Sequence, residues 1–189
     1  MDLKETLLRQ LQFNRDALLW KCEGLSERDL RLPRTPTGTN LLGLVKHCAW
    51  VEHEYFITSF GRSSGLNPPD IDYDADPNGD LAATESEAAA ELLSTYRQVA
   101  SHVDAAIAEQ TLDTPGHVSW WGERGDTTLG DVLVHVLGDI ARHAGHADII
   151  REGIDGLAGL RGDNANLWVP EGGWDTRVLR LTAIAESFG

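Results

Sequence analysis

Apolar residues recur at helical spacing through most of this sequence, and alternating, strand-like stretches are scarce. Leu3, Leu7, Leu8, Leu11, Ala17, Leu18 and Trp20 mark one face of a first helix over 2–22, closed before Gly24. Ser26 caps a short turn to Leu30, and Pro33, Pro36 and Gly38 then break the chain. Thr39 or Asn40 caps a second long helix over 40–60, ended by Gly61. Residues 61–82, rich in Gly, Pro, Asn and Asp, read as a long surface loop. Thr84-Glu85-Ser86-Glu87 has the form of a capping box and opens a third helix reaching Glu109. Residues 111–127 are irregular around Trp120 and Trp121, and Thr127 or Thr128 caps a fourth helix over 128–153. Asp175 to Glu186 forms a shorter fifth. The expectation is an all-α four-helix bundle over residues 1–160, with a C-terminal extension over 161–189. The extension's helix, with Val178, Leu179, Leu181 and Ile184, is expected to pack on the bundle or on a partner, which makes a homodimer one expected state. The loops at 61–82 and 111–127 exceed the roughly 2–8 residues usual in bundles, and loops of that length at a bundle end often cover a site.

Composition narrows the function classes. The chain has 189 residues with 16 Lys plus Arg against 30 Asp plus Glu, a net charge of −14. Such a field repels a phosphate backbone, and no basic cluster overcomes it locally, so nucleic acid is not an expected partner. No stretch approaches the ~20 apolar residues of a membrane span, and the first residues lack the basic flank and apolar run of a signal peptide. The two cysteines, Cys22 and Cys48, are too few for a disulfide scaffold and suit a reducing cytoplasm. Cys48 reads as a small core residue.

Seven histidines remain to be explained. With His135 set at zero on the fourth helix, Asp139 falls near ~40°, His143 near ~80° and His146 near ~20°. The four share one stripe on the shoulder of the apolar arc of Val132, Val136, Ile140 and Ala147. Leaving such a stripe unpartnered at the edge of a core is expensive. On the second helix, Leu41, Leu44, Cys48, Val51 and Tyr55 cluster on the side of His47, which therefore faces inward. His53 falls ~120° away and is expected to meet solvent, as are His102 and His117. An inward His47 and the i, i+4 pair Asp139 and His143 form a three-ligand set suited to Zn(II), and also to Ni(II), Fe(II) or Mn(II). Three protein ligands leave a position open, the pattern of a catalytic metal.

The segments Thr35-Pro36-Thr37-Gly38-Thr39-Asn40-Leu41-Leu42-Gly43-Leu44-Val45-Lys46-His47 and Ala141-Arg142-His143-Ala144-Gly145-His146-Ala147-Asp148 resemble the DinB-like superfamily. More narrowly, they resemble a subfamily near the mycothiol-dependent maleylpyruvate isomerase and thiol S-transferase branch. The resemblance implies an up-down-down-up bundle with a divalent metal held by a His on the second helix and two residues one turn apart on the fourth. On this chain those positions are His47, Asp139 and His143. Asp139 stands where the family carries His or Glu, one methylene shorter than Glu. His135 and His146 lie within about a turn and are expected as supporting or substitute ligands.

The resemblance implies a metal-dependent enzyme that uses a low-molecular-weight thiol, mycothiol, against a small electrophile. The open metal position would take the thiol sulfur as thiolate, the competent nucleophile. Trp120, Trp121 and the 61–82 loop are expected to wall the cofactor pocket, and His146 is the candidate general base. Two other readings stand beside it: a metal-dependent small-molecule hydrolase, and a non-catalytic metal-binding stress-response module.

Overall fold

The computed structural model describes residues 2–66 and 71–189, so part of the expected 61–82 loop, at 67–70, lies outside the described residues. The chain divides into two compact units, residues 1–158 and 159–189. In the first, helix α1 (Leu3–Trp20) opens on a full capping box. The Asp2 carboxylate accepts from the Glu5 N–H at 2.8 Å, and the Glu5 carboxylate accepts from the Asp2 N–H. Short α2 (Glu27–Arg31) starts where Ser26 Oγ accepts from the Asp29 N–H. Helix α3 (Leu41–Phe56) begins on Asn40, whose side chain accepts from the Gly43 N–H, and runs into a 3-10 turn closed by left-handed Gly61.

Helix α4 (Ala89–Ala108) starts later than the Thr84–Glu87 pattern implies. Glu87 does accept from the Thr84 N–H at 2.6 Å, but Ala88 at the helix entrance has no side-chain cap of its own. The cap comes from far along the chain: the Glu27 carboxylate of α2 accepts from the Ala89 N–H at 3.2 Å. A negative group at that end also suits the helix dipole. Helix α5 (Leu129–Asp155) is capped by Thr128 and ends at left-handed Gly156. Between α4 and α5, strands β1 (Pro115–His117) and β2 (Asp126–Thr128) pair antiparallel and carry Trp120 and Trp121 in the 3-10 segment that joins them. In the second unit, α6 (Gly173–Glu186) has no buried residue.

The first unit is a mainly helical bundle, of the all-α class but for the one short hairpin, in which α3 packs on α4 and α5, and α1 packs on α5. Leu11, Leu18, Leu44, Cys48, Tyr96, Val103, Val136 and Ile140 belong to one continuous core. Leu3, expected on the inner face of α1, is instead exposed, because it lies in the first turn of the helix. No described helix is long and apolar enough to cross a membrane.

Charges inside this core are paired. Glu52 of α3 is 0 % exposed, and its carboxylate accepts two bonds from Arg15 Nε, one from Arg15 Nη2 and one from the Tyr96 hydroxyl at 2.9 Å. Arg15 Nη1 reaches Asp104 at 2.7 Å, so α1, α3 and α4 meet at one guanidinium. Burial opposes the Arg15 charge, yet Glu52 and Asp104 outweigh it and raise its pKa further. Burial together with the Glu52 charge holds the Tyr96 phenol and the Cys48 thiol protonated. Burial likewise pushes the Cys22 thiol up to about 12, which leaves both cysteines inert at neutral pH.

One close approach positions the loop that precedes α4. A Cβ added at Gly43 of α3 would collide with the backbone carbonyl of Leu81, so glycine is required for residues 79–81 to sit on the helix. Lys46 fastens the same segment, donating to the Ala82 carbonyl at 3.0 Å and pairing with Glu87 at 3.0 Å.

Glu52→Leu strands a buried guanidinium and is expected to cost about 3–5 kcal/mol in urea unfolding. The double variant Arg15→Met, Glu52→Leu is expected to recover most of that loss, since an apolar pair of similar volume removes the burial penalty on both sides.

Candidate metal centre

Helix α3 delivers His47 and helix α5 delivers Asp139 and His143 to one place. Nitrogen and oxygen atoms of these three side chains lie within 4.8 Å of one another. His47 Nε2 stands 3.5 Å from Asp139 Oδ2, and His143 Nε2 stands 3.6 Å from Asp139 Oδ1. The two imidazoles meet edge to face with centroids 4.6 Å apart. The i, i+4 relation of Asp139 and His143 sets both on the side of α5 that faces α3. Even with its shorter side chain, Asp139 thus reaches both imidazoles.

Behind His47 sits Asp80, from the 3-10 turn seated on Gly43. Its carboxylate accepts from His47 Nδ1 at 2.6 Å. That bond commits the Nδ1 proton outward and turns Nε2 towards Asp139, the arrangement by which a carboxylate orients a metal-bound imidazole. Without its proton, Nε2 presents a lone pair to a carboxylate oxygen, and two acceptors at 3.5 Å repel unless a cation lies between them. Asp139 Oδ2 and His143 Nδ1 are buried and make no hydrogen bond. The donor set, two imidazoles and a carboxylate with an unsatisfied oxygen, fits a divalent ion.

Electrostatics separate the two histidines. Burial lowers His143, and the neighbouring His47 and His146 rings add to that, so its pKa falls to about 4 and it is a neutral donor at physiological pH. Burial also disfavours charge on His47, but Asp139 and Asp80 outweigh it and hold its pKa above the ordinary histidine value. Burial would raise the Asp139 carboxyl, yet His47 and His143 keep it below the usual range. The centre therefore favours positive charge, which a proton on His47 supplies and a metal ion in its place would supply equally.

The other members of the histidine stripe go elsewhere. His146 is exposed, with its ring 5.4 Å from that of His143, and His135 lies outside the cluster with Nε2 at 3.1 Å from the Tyr55 hydroxyl. Trp120 and Trp121 both donate their indole N–H to that hydroxyl, at 3.2 and 3.1 Å. A cavity of about 400 Å³ beside the centre is lined by His47, Asp80, Trp50, Tyr55, Tyr73 and Trp120. A second, of about 500 Å³, lies beyond Trp120 against Trp121, Arg124 and His135.

His53 does not meet solvent as the helical wheel implies; it is 8 % exposed. The Trp50 ring, one turn earlier on the same helix, stacks near it with centroids 6.2 Å apart, and Ser64 Oγ from the following loop bonds its Nε2 at 2.9 Å, so a neighbour on α3 and a loop residue together cover it. His102 and His117 are exposed, as expected. Sequence reasoning missed Asp80, which is one acid among several in a loop and carries no distinguishing signal. It also missed Tyr55 as a hub and Glu52 as a buried charge. Glu52 did leave a trace, standing four residues after Cys48 and so on the same apolar arc.

Asp80→Asn is expected to weaken metal affinity about 10–100-fold, read by competition with a chromogenic chelator, because the His47 ring loses its orienting acceptor. His47→Ala is expected to remove stoichiometric binding. The His47 proton competes with the metal, and its raised pKa moves that competition up towards neutrality. Metal content after equilibrium dialysis is therefore expected to be full at mildly alkaline pH and to fall as pH drops through the His47 value.

No curated protein matches this sequence. The family model described as mycothiol-S-transferase matches residues 6–156, a span from within α1 through α5 that contains His47, Asp80, Asp139 and His143. The resemblance drawn from the Thr35–His47 and Ala141–Asp148 segments agrees with this match, and the chain belongs to the mycothiol-S-transferase family.

Proposed function

We propose that the protein is a divalent-metal-dependent transferase that joins mycothiol, through its sulfur, to a small electrophile. The observation that carries this reading is the ligand cluster of His47, Asp139 and His143, backed by Asp80 and opening on a cavity of about 400 Å³. Zinc is the ion this set suits best, with Ni(II), Fe(II) and Mn(II) as substitutes. When bound, such an ion supplies the positive charge that lowers a thiol's pKa far enough for thiolate to be present at neutral pH.

The chain's own residues do the rest. Asp80 keeps the His47 ring in one tautomer and one orientation. The low pKa of His143 keeps it uncharged beside the incoming sulfur, so no proton has to leave that ring first. His146, exposed next to His143, is the group assigned to take the thiol proton. Trp50, Tyr73 and Trp120 wall the cavity and exclude water from the sulfur, while Trp121 braces Tyr55 from the far side.

The test uses chlorodinitrobenzene as electrophile with mycothiol as thiol. In that reaction a carbon–sulfur bond forms, chloride leaves with its electron pair, and the thiol proton passes to the protein or solvent. The expected outcome is a rate that depends on both mycothiol and protein, is lost on chelation or in His143→Ala, and returns when zinc is restored to the parent. Metal-dependent loss of electrophile that ignores the thiol would replace this reading with the hydrolase. Metal binding that raises stability with no turnover across a panel of electrophiles would replace it with the non-catalytic module.

A further inference from the structure

The cavity beyond Trp120 has a polarity pattern set by hydrogen-bond arithmetic. A phenol oxygen offers two lone pairs and one proton. Tyr55 Oη receives two indole N–H groups, from Trp120 at 3.2 Å and Trp121 at 3.1 Å, which occupy both lone pairs. Its proton is left for His135 Nε2 at 3.1 Å. In the neutral ring that nitrogen is therefore bare, and the ring hydrogen sits on Nδ1, which has no hydrogen-bond partner among the described residues.

The consequence falls on the cavity of about 500 Å³ lined by Trp120, Trp121, Arg124 and His135. Both indole N–H groups are spent on Tyr55, so the tryptophans offer a ligand only their apolar faces. The polar side-chain groups left among the lining residues are the His135 Nδ1–H and the Arg124 guanidinium, and both are donors. Among the described residues Arg124 pairs with no carboxylate, in a chain that has 30 acidic side chains against 16 basic ones. A space with flat apolar walls whose polar side chains are all donors suits a planar molecule that ends in an anionic acceptor. A guanidinium meets a carboxylate with two parallel N–H bonds.

We propose that this cavity is a carboxylate subsite, which holds the acid group of a flat, unsaturated or aromatic electrophile. The naming of the ligand as the electrophile rests on the transferase reading above; the preference for a carboxylate rests on the cavity alone. The placement suits the chemistry. His135 precedes Asp139 by four residues on α5, about 6 Å along the helix axis, and Trp120 lines this cavity and the one beside His47. The subsite also explains how a chain of net charge −14 would collect an anion, since the bulk field repels it and only a local guanidinium can reverse the sign.

Benzoate and its neutral isostere benzamide are the probes, titrated into the zinc-loaded full-length protein by calorimetry. The indole N–H resonances of Trp120 and Trp121 are followed in parallel. Benzoate is expected to bind at least about tenfold more tightly than benzamide, the scale of one charge-assisted hydrogen bond, and to shift both indole signals. Arg124→Gln is expected to abolish that preference while leaving benzamide binding and the circular dichroism spectrum unchanged. Equal affinities for the two probes in the parent would overturn the subsite. So would benzoate binding that survives Arg124→Gln but is lost in His143→Ala, because the acid group would then be held by the metal. Failure of the two proposals is separable. Benzoate preference without any thiol-dependent turnover sinks the transferase and leaves the subsite standing, and turnover without benzoate preference does the reverse.

Discussion

A carboxylate taken out of water must have its lone pairs met by donors, and Glu52 meets that requirement with Arg15 from one helix and Tyr96 from another. Those bonds fix more than a contact. They set the rotation of α3 about its own axis, because Glu52 has to point at α1 and α4. His47 lies five residues earlier, about 140° around the helix, and is thereby turned towards α5, where Asp139 and His143 wait. A bundle of apolar faces alone would tolerate α3 turned by part of a residue, since leucines and valines lack direction. The buried ion pair does not tolerate it. Within this chain the chemistry of the centre is held in register by a charge network on the opposite side of the same helix.

The centre inherits a second constraint from electrostatics. An imidazole between two carboxylates gathers positive charge, whereas the imidazole one turn beyond Asp139 is kept neutral by burial and by its neighbours. The asymmetry divides the labour among identical side chains. His47 is the residue that favours the proton, and His143 is the one that stays neutral with its lone pair free. The carboxylate between them lies one methylene closer to its helix than a Glu would, yet still faces both rings within 3.6 Å.

Much of this was legible in the sequence, and the remainder was hidden for physical reasons. The helices and most of their caps are local events, written in Asp2, Ser26, Asn40 and Thr128 next to the amides they serve. The Thr84–Glu87 pattern sets the start of α4 too early, because the helix's cap, Glu27, is supplied from 62 residues away and no local pattern reveals that. The ligand trio could be assembled from helical angles because each member sits inside a regular helix, whose period extends prediction over several turns. Asp80 could not, since its position depends on how an irregular loop lands on α3. The angle of His53 points it towards solvent, yet Ser64 from the following loop reaches over its ring, beside Trp50 one turn earlier on α3. Helical geometry reports which way a side chain leaves its own axis and says nothing of what the rest of the chain later lays over it. Tyr55 illustrates the same limit, since its place on the apolar arc was clear and the three partners of its hydroxyl were not.

The bare backbone at Gly43 gives the loop carrying Asp80 its seat. Under the metal-dependent reading, the grip on the ion has a control separate from the residues that would touch it. A methyl group at this one position would lift the loop, withdraw the acid behind His47 and loosen the ring, with His47, Asp139 and His143 all still in place. Two descendants of such a protein could share every ligand and differ in which metal they retain, and a comparison of ligands alone would not reveal why.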